Sequence, residues 1–278
     1  MRLGMITLLC LSACTPKSDD GSQDTGDSNV DTDTDTDTDT NEETGEIVDT
    51  ALSGTFTGNI KDDQGNVVEG AKVAFCLTIC RIADSDAAGN FTFEGFKTAT
   101  YSFDIKMPGT NKASIMAPLD MEGGVDATLD FVVYELDVAK PLPDQAADVE
   151  MTAGFWATIG KDNLDMGFSA SETASAVRIP PEGQGWIAQS ALAGENIAGM
   201  WYLHPWEAEG DPDPVHFRIA NEWGWAPGTA VKVWAASYDD FSFLETGEVY
   251  VSSDGGWIEP TLGQGGLPVL STVVVIGP

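Results

Sequence analysis

From Ser53 onward, apolar residues recur at every second position in short runs that end at glycine, aspartate or asparagine. A pleated strand buries such a pattern on one face, whereas a helix would spread it around its circumference. In the run from Ala71 to Leu77, the side chains of Val73, Phe75 and Leu77 share one face and Lys72 takes the other. Phe91 and Phe93 repeat the pattern, as do Tyr101, Phe103 and Ile105, then Leu129, Phe131 and Val133. These strands are expected to share one sandwich core.

The stretch Lys140-Pro141-Leu142-Pro143-Asp144-Gln145 reads as a strandless boundary. All eight tryptophans lie beyond it, which marks a second region with its own core. Alternation continues in Val231-Lys232-Val233 and Glu248-Val249-Tyr250-Val251, and Ser253-Asp254-Gly255-Gly256 reads as a hairpin turn into Trp257-Ile258. Val273 to Ile276 is apolar at four consecutive positions, which places it as a central strand buried on both faces. No segment of this half has helical periodicity. The expected fold class is all-β, with β-sandwiches over residues 53–138 and 146–278, the second rich in tryptophan. With 42% hydrophobic residues in 278, the chain can supply both cores.

Residues 15–52 have a different character. Thirteen Asp or Glu stand against one basic residue, Lys17, with nine Thr, no aromatic residue and five consecutive Asp-Thr pairs from Asp31 to Thr40. Such a stretch buries too little apolar surface to offset its ordering entropy, so residues 14–52 are expected to be a disordered tether. At about 3.6 Å per residue it reaches roughly 130 Å when fully extended, and like-charge repulsion biases it that way. A calcium site would need carboxylates converging from a fixed loop, which an alternating run lacks.

Ahead of the tether, residues 3–13 are apolar after a single basic residue, Arg2. That is short of the roughly 20 residues needed to span a bilayer, and it reads as an export signal. Its end, Leu11-Ser12-Ala13-Cys14, resembles the lipobox of bacterial lipoproteins. The resemblance implies a signal peptide over residues 1–13, cut just before Cys14, and acylation of the Cys14 sulfur. With Thr15 rather than Asp after the cysteine, it further implies the outer membrane. One acyl chain holds a protein only marginally, at about 0.8 kcal/mol per buried methylene. No polybasic patch assists here, so stable attachment needs the several chains that the family implies. The formal net charge of −32 excludes a nucleic-acid partner and disfavours anionic lipid head groups.

The order of turns and strands over residues 53–137 resembles the carboxypeptidase regulatory-like domain, a transthyretin-like β-sandwich. The matching residues are Gly58, Asp62 to Gly65, Val68, Gly70-Ala71, Val73, Asp86, Gly89, Phe91-Thr92-Phe93 and Tyr101. Thr100 departs from the pattern, since the family usually has glycine before the tyrosine. The resemblance implies a fold that accompanies another module and carries no catalytic residues. In the second half, Pro227-Gly228-Thr229, Val231, Gly247 and Val251 to Gly255 are similar to β-domains of large secreted bacterial surface proteins, and Val177 to Pro180 suits their early strand.

Chemistry is sparse. Cys76 and Cys80 would lie about 13 Å apart on a regular strand, beyond the roughly 7 Å limit for a disulfide. A bond therefore requires the chain to turn back between them; a local disulfide, which export favours, and two separate thiols are the alternatives. Only two histidines exist, His204 and His216, and their twelve-residue, Pro-rich spacing matches no ligand pattern, so a zinc site with these cysteines is not expected. Asp84 and Asp86 near Asn90 read as turn residues rather than calcium ligands. No catalytic, metal or cofactor site is expected. Trp201, Trp206, Trp223 and Trp225 are the candidates for stacking on a sugar ring or anchoring a protein partner, against the alternative that they fill a core.

These features lead to the expectation of a non-catalytic, lipid-anchored envelope protein that presents β-sandwich modules at the membrane surface. A carbohydrate-binding protein using the aromatic loops is the second reading. A hydrolase of envelope polymers, with paired carboxylates in an aromatic cleft, is the third. Replacing Cys14→Ser is expected to abolish incorporation of labelled fatty acid and to move the protein from the membrane to the soluble fraction; intact-mass analysis of material from the native host checks it, and an unacylated wild-type chain would refute it.

Overall fold

The computed structural model describes residues 53–167 and 171–278; the expected signal peptide, Cys14 and the expected tether lie outside them. Seven strands build the N-terminal sandwich: β1 (Thr55–Asp62), β2 (Lys72–Cys76), β3 (Cys80–Asp84), β4 (Asn90–Glu94), β5 (Ala99–Lys106), β6 (Ile115–Met121) and β7 (Ala127–Val133). One sheet has the order β4-β1-β7, with β1 parallel to β7, and the other β3-β2-β5-β6. The alternating apolar residues meet between them as an aromatic core. The Phe56 ring lies 5.3 Å from Phe75 and 5.4 Å from both Phe91 and Phe103, and Phe103 stacks on Phe131 at 4.7 Å. Gly58 makes this packing possible: a Cβ there would lie 2.4 Å from the Phe91 ring and 2.2 Å from the Leu129 carbonyl oxygen. Arg81 covers one end of the core, its guanidinium 5.1 Å from the Phe75 ring centre while donating to the carbonyls of Glu94 and Gly95.

The remaining strands are β8 (Lys140–Pro141), β9 (Ala147–Thr152), β10 (Phe155–Ile159), β11 (Leu164–Asp165), β12 (Thr173–Arg178), β13 (Ile197–His204) and β14 (Ala208–Gly210), followed by β15 (Phe217–Ala220), β16 (Ala230–Ser237), β17 (Ser242–Glu245), β18 (Gly247–Val251), β19 (Trp257–Gly265), β20 (Val269–Leu270) and β21 (Thr272–Ile276). The only helical segments among the described residues are short 3₁₀ turns at Pro181–Gly183 and Gly185–Gln189. One large sheet runs β8-β12-β13-β21-β16-β18-β19-β15-β10-β9, with β17 added to β16, and a small sheet holds β11-β14-β20. The large sheet curls until its ends meet: Lys140 Nζ on β8 donates to the Glu150 carbonyl on β9 at 2.6 Å, and Thr152 donates to the Asp137 carboxylate. Phe155, Phe217, Val233, Ile258 and Val275 fill the space so enclosed. Lys140-Pro141 is thus not strandless, because β12 gives it an edge to pair with.

β21 pairs with β13 on one side and β16 on the other. These three strands form a wall with a core on each face. Trp201, Leu203, Val233, Val273 and Val275 point into the curled sheet. Met200, Tyr202, Ala236, Val274 and Ile276 join the cluster that contains Phe56, Phe103 and Ile115. The described chain is therefore one compact unit in which the two sheet systems share a seam. Thr272 pins it: its Oγ1 accepts from Met116 N at 3.2 Å and donates to Met116 O at 2.7 Å, fully buried. Thr272→Val keeps the shape and leaves both backbone groups of Met116 unpaired, so it is expected to cost about 1–3 kcal/mol in urea unfolding; a loss below about 0.3 kcal/mol would show that the contact is not made.

Candidate functional site

Two places gather chemically capable side chains. The first is the turn between β15 and β16. Asn221 staples it, donating from Nδ2 to the carbonyls of Trp225 (2.8 Å) and Gly255 (2.9 Å) and accepting from Trp225 N at 3.1 Å. The turn lays Trp223 on Trp225 with ring centres 4.8 Å apart and planes 13° from parallel, and both rings are half-buried. Trp223 also packs over Gly199, where a Cβ would lie 3.2 Å from its ring and 2.5 Å from Trp201. Arg178, from β12, stands 5.8 Å from the Trp223 ring centre and pairs with Glu222. A groove of about 610 Å³ opens alongside, lined by Asp63, Tyr134, Arg178, Glu182, Gln184 and Gly199.

Trp201 and Trp206, the other two aromatic candidates, are not on this surface. Trp201 is 2% exposed because its position on β13 points into the curled sheet, with Phe155 at 5.5 Å; its ring is not available for stacking on a ligand. Trp206 is 9% exposed, set edge-on against Tyr238 at 6.1 Å, with Lys106 Nζ only 3.6 Å above its ring centre.

Trp206 belongs to the second place, on the seam. Asp104 and Lys106, alternate residues of β5, meet Glu207, Tyr238 and Asp239 from the C-terminal strands. Burial raises the Asp104 carboxyl to about 6, opposed by Lys106. Burial raises Glu207 further, to about 8; the Tyr238 N–H it accepts at 3.3 Å opposes this, and the charges of Asp239 and Asp104 add to it. Glu207 has φ +58°, in the left-handed region, so its direction is imposed by the surrounding turn. Its Oε1 has no hydrogen-bond partner among the described residues.

The cysteines adjoin this cluster. Cys76 and Cys80 are disulfide-bonded, directly opposite one another across the β2–β3 hairpin with Cα atoms 4.0 Å apart. The Tyr238 hydroxyl contacts both sulfurs, at 2.9 Å to Cys80 and 3.4 Å to Cys76. Elsewhere, His204 Nε2 is bonded to Ser171 Oγ at 2.7 Å, and Asp86 Oδ1 accepts from the backbone of Ala88 and Asn90, each at 2.8 Å, as a turn residue does.

No family model matches the chain, and no curated protein sequence matches it. Similar solved structures include a Bacteroides uniformis protein provisionally described as carbohydrate-binding, at 11% identity over 81% of this chain and 99% of that one, with a TM-score of 0.26. The full-length major pilin SpaD of Corynebacterium diphtheriae gives 8% identity over 81% and 55% of the two chains at a TM-score of 0.26. The major pilin subunit BcpA of Bacillus cereus gives 9% over 81% and 95% at 0.24. At these TM-scores the likeness decides nothing about function.

The seam carboxyls make stability depend on pH. Each is held protonated by the fold, so its contribution is complete below its ordinary value and declines as pH rises to its folded value: from near 4.5 to about 8 for Glu207, and from near 3.8 to about 6 for Asp104. Glu207→Gln is expected to flatten the fall in thermal midpoint across about pH 5 to 9 and to melt several degrees above wild type at the alkaline end. Parallel melting curves for the two proteins would contradict the burial of this carboxyl.

Proposed function

We propose that the protein is a non-catalytic binding module, held to the bacterial envelope through acyl chains on Cys14 and carried away from the membrane by its acidic tether, and that it engages glycan at the Trp223–Trp225 surface. The stacked, half-buried indole pair beside a polar groove carries this reading. An indole face offers a sugar ring a large rigid contact at little entropic cost, and the groove supplies amide, carboxylate, phenol and guanidinium groups for its hydroxyls. At about 610 Å³ it has room for more than one sugar ring. The lipobox and the tether support the anchored part of the reading. The N-terminal sandwich, with its resemblance to carboxypeptidase regulatory-like domains, serves as the rigid support on which one wall of the groove is built.

The hydrolase reading gains less. Paired carboxyls with raised affinity for protons do occur, at Asp104 and Glu207, but the cavity beside Glu207 measures about 160 Å³. That admits a group of a few heavy atoms rather than two linked sugar rings. Titrating the protein with neutral polysaccharides while following tryptophan fluorescence is expected to give saturable binding, weakened at least tenfold, or about 1.4 kcal/mol, by Trp225→Ala. Absence of binding across a broad glycan array would overturn the glycan assignment and leave the anchored module; release of sugar by the purified protein would overturn the non-catalytic reading.

A further inference from the structure

The cavity of about 160 Å³ on the seam is walled by two aromatic rings and ringed by acids: Trp206 and Tyr238, with Glu207, Asp239, Asp165 and Glu209. The rings stand at 65° to one another, so they form a corner rather than a sheet. Aromatic faces meeting at a corner, with carboxylates at the open side, are the chemistry that holds an organic cation, because the ring quadrupoles and the acids attract the same charge. The molecule already demonstrates this at the same indole: the Lys106 ammonium lies 3.6 Å from the Trp206 ring centre. Lys106 does not line the cavity, which is left for a cation from outside.

Two further observations point to a ligand. Trp206 is more than nine-tenths buried, yet its Nε1 has no partner among the described residues, and Oε1 of the half-buried Glu207 has none either. Both unpaired groups belong to residues that line the cavity. A bare metal ion fits poorly: no group of three or more His, Cys, Asp or Glu among the described residues could hold one. A small organic ammonium suits the aromatic faces and the surrounding acids.

We propose that this cavity binds a primary alkylammonium group, of the kind carried by an amino sugar or by the end of a lysine side chain, in the corner made by the Trp206 and Tyr238 rings and against the carboxylates of Glu207 and Asp239. Its size suits one such group with the few atoms around it. The site is separate from the Trp223–Trp225 surface and stands whether or not that surface binds glycan. Charges facing Glu207 are Asp104 and Lys106 from β5 and Asp239 beside Tyr238; Asp165 and Glu209 face the cavity from β11 and β14. Because burial keeps Glu207 protonated up to about pH 8, an arriving ammonium must displace that proton, so binding is coupled to proton release.

The test is calorimetric titration of the full chain with D-glucosamine and with Nα-acetyl-lysine methylamide, each beside its N-acetylated counterpart. The charged compounds are expected to bind and the acetylated ones not to. For the lysine compound, whose ammonium stays charged throughout, affinity is expected to rise up to tenfold per pH unit between about 6 and 8 and then level off. Binding of glucosamine alone assigns the site to an amino sugar, and binding of the lysine compound alone assigns it to a protein side chain; either supports the ammonium assignment. Glu207→Gln should remove the pH slope, and Asp239→Asn, at an exposed position, should weaken binding severalfold in a protein whose circular dichroism spectrum matches wild type. No binding at about 20 mM, equal binding of the acetylated compounds, or calcium binding without any ammonium binding would overturn it.

Discussion

The interaction on which the rest of the structure depends is the pairing of β21 between β13 and β16. A strand in the middle of a sheet that is packed on both faces has no solvent side, so every residue of it must be apolar or internally bonded. Thr272 to Ile276 meets this requirement at all five positions, each buried. At about 1.5–3 kcal/mol per buried aliphatic side chain, the four from Val273 to Ile276 contribute on the order of 6–12 kcal/mol as an upper estimate. That is comparable to the whole net stability of a typical domain. The two cores are thus coupled through one wall.

Legibility in the sequence followed how many faces of a strand are buried against its own sheet partners. Strands such as Asn90–Glu94, with strict burial alternation, could be read from period alone, and the four-residue apolar run at Val273 announced its central position. Ile115–Met121 could not be read this way. It carries apolar side chains on both faces and a proline at 118, because one face packs within its sandwich and the other against β21 and β16. Likewise, alternation placed Ser102 and Asp104 on the outer face of β5, where they would meet water; the C-terminal strands cover that face, and the two residues are 0% and 2% exposed. A covering surface contributed by residues a hundred positions away leaves no local trace.

The candidate sites divide in the same way. The Trp223–Trp225 pair lay in a Gly- and Pro-rich turn, a context that signals surface, and there it stands. Trp201 sat in a run that looked equally aromatic but belongs to a strand buried on both faces. The carboxyls of the seam gave no signal, because in a chain with 45 acidic residues a further acid carries little information. What distinguishes Asp104 and Glu207 is desolvation, a property of the assembled seam rather than of either segment.

The place of β21 in the wall also bears on synthesis. Every other strand described here leaves the ribosome before it, yet neither the curled sheet nor the outer face of β5 and β6 can be covered until it docks. The emerging polypeptide therefore keeps these apolar surfaces open until its last described strand is made, and contacts such as Met116 with Thr272 span 156 positions. Long-range pairing of this kind is slow, which favours closing the shared wall in a single late step.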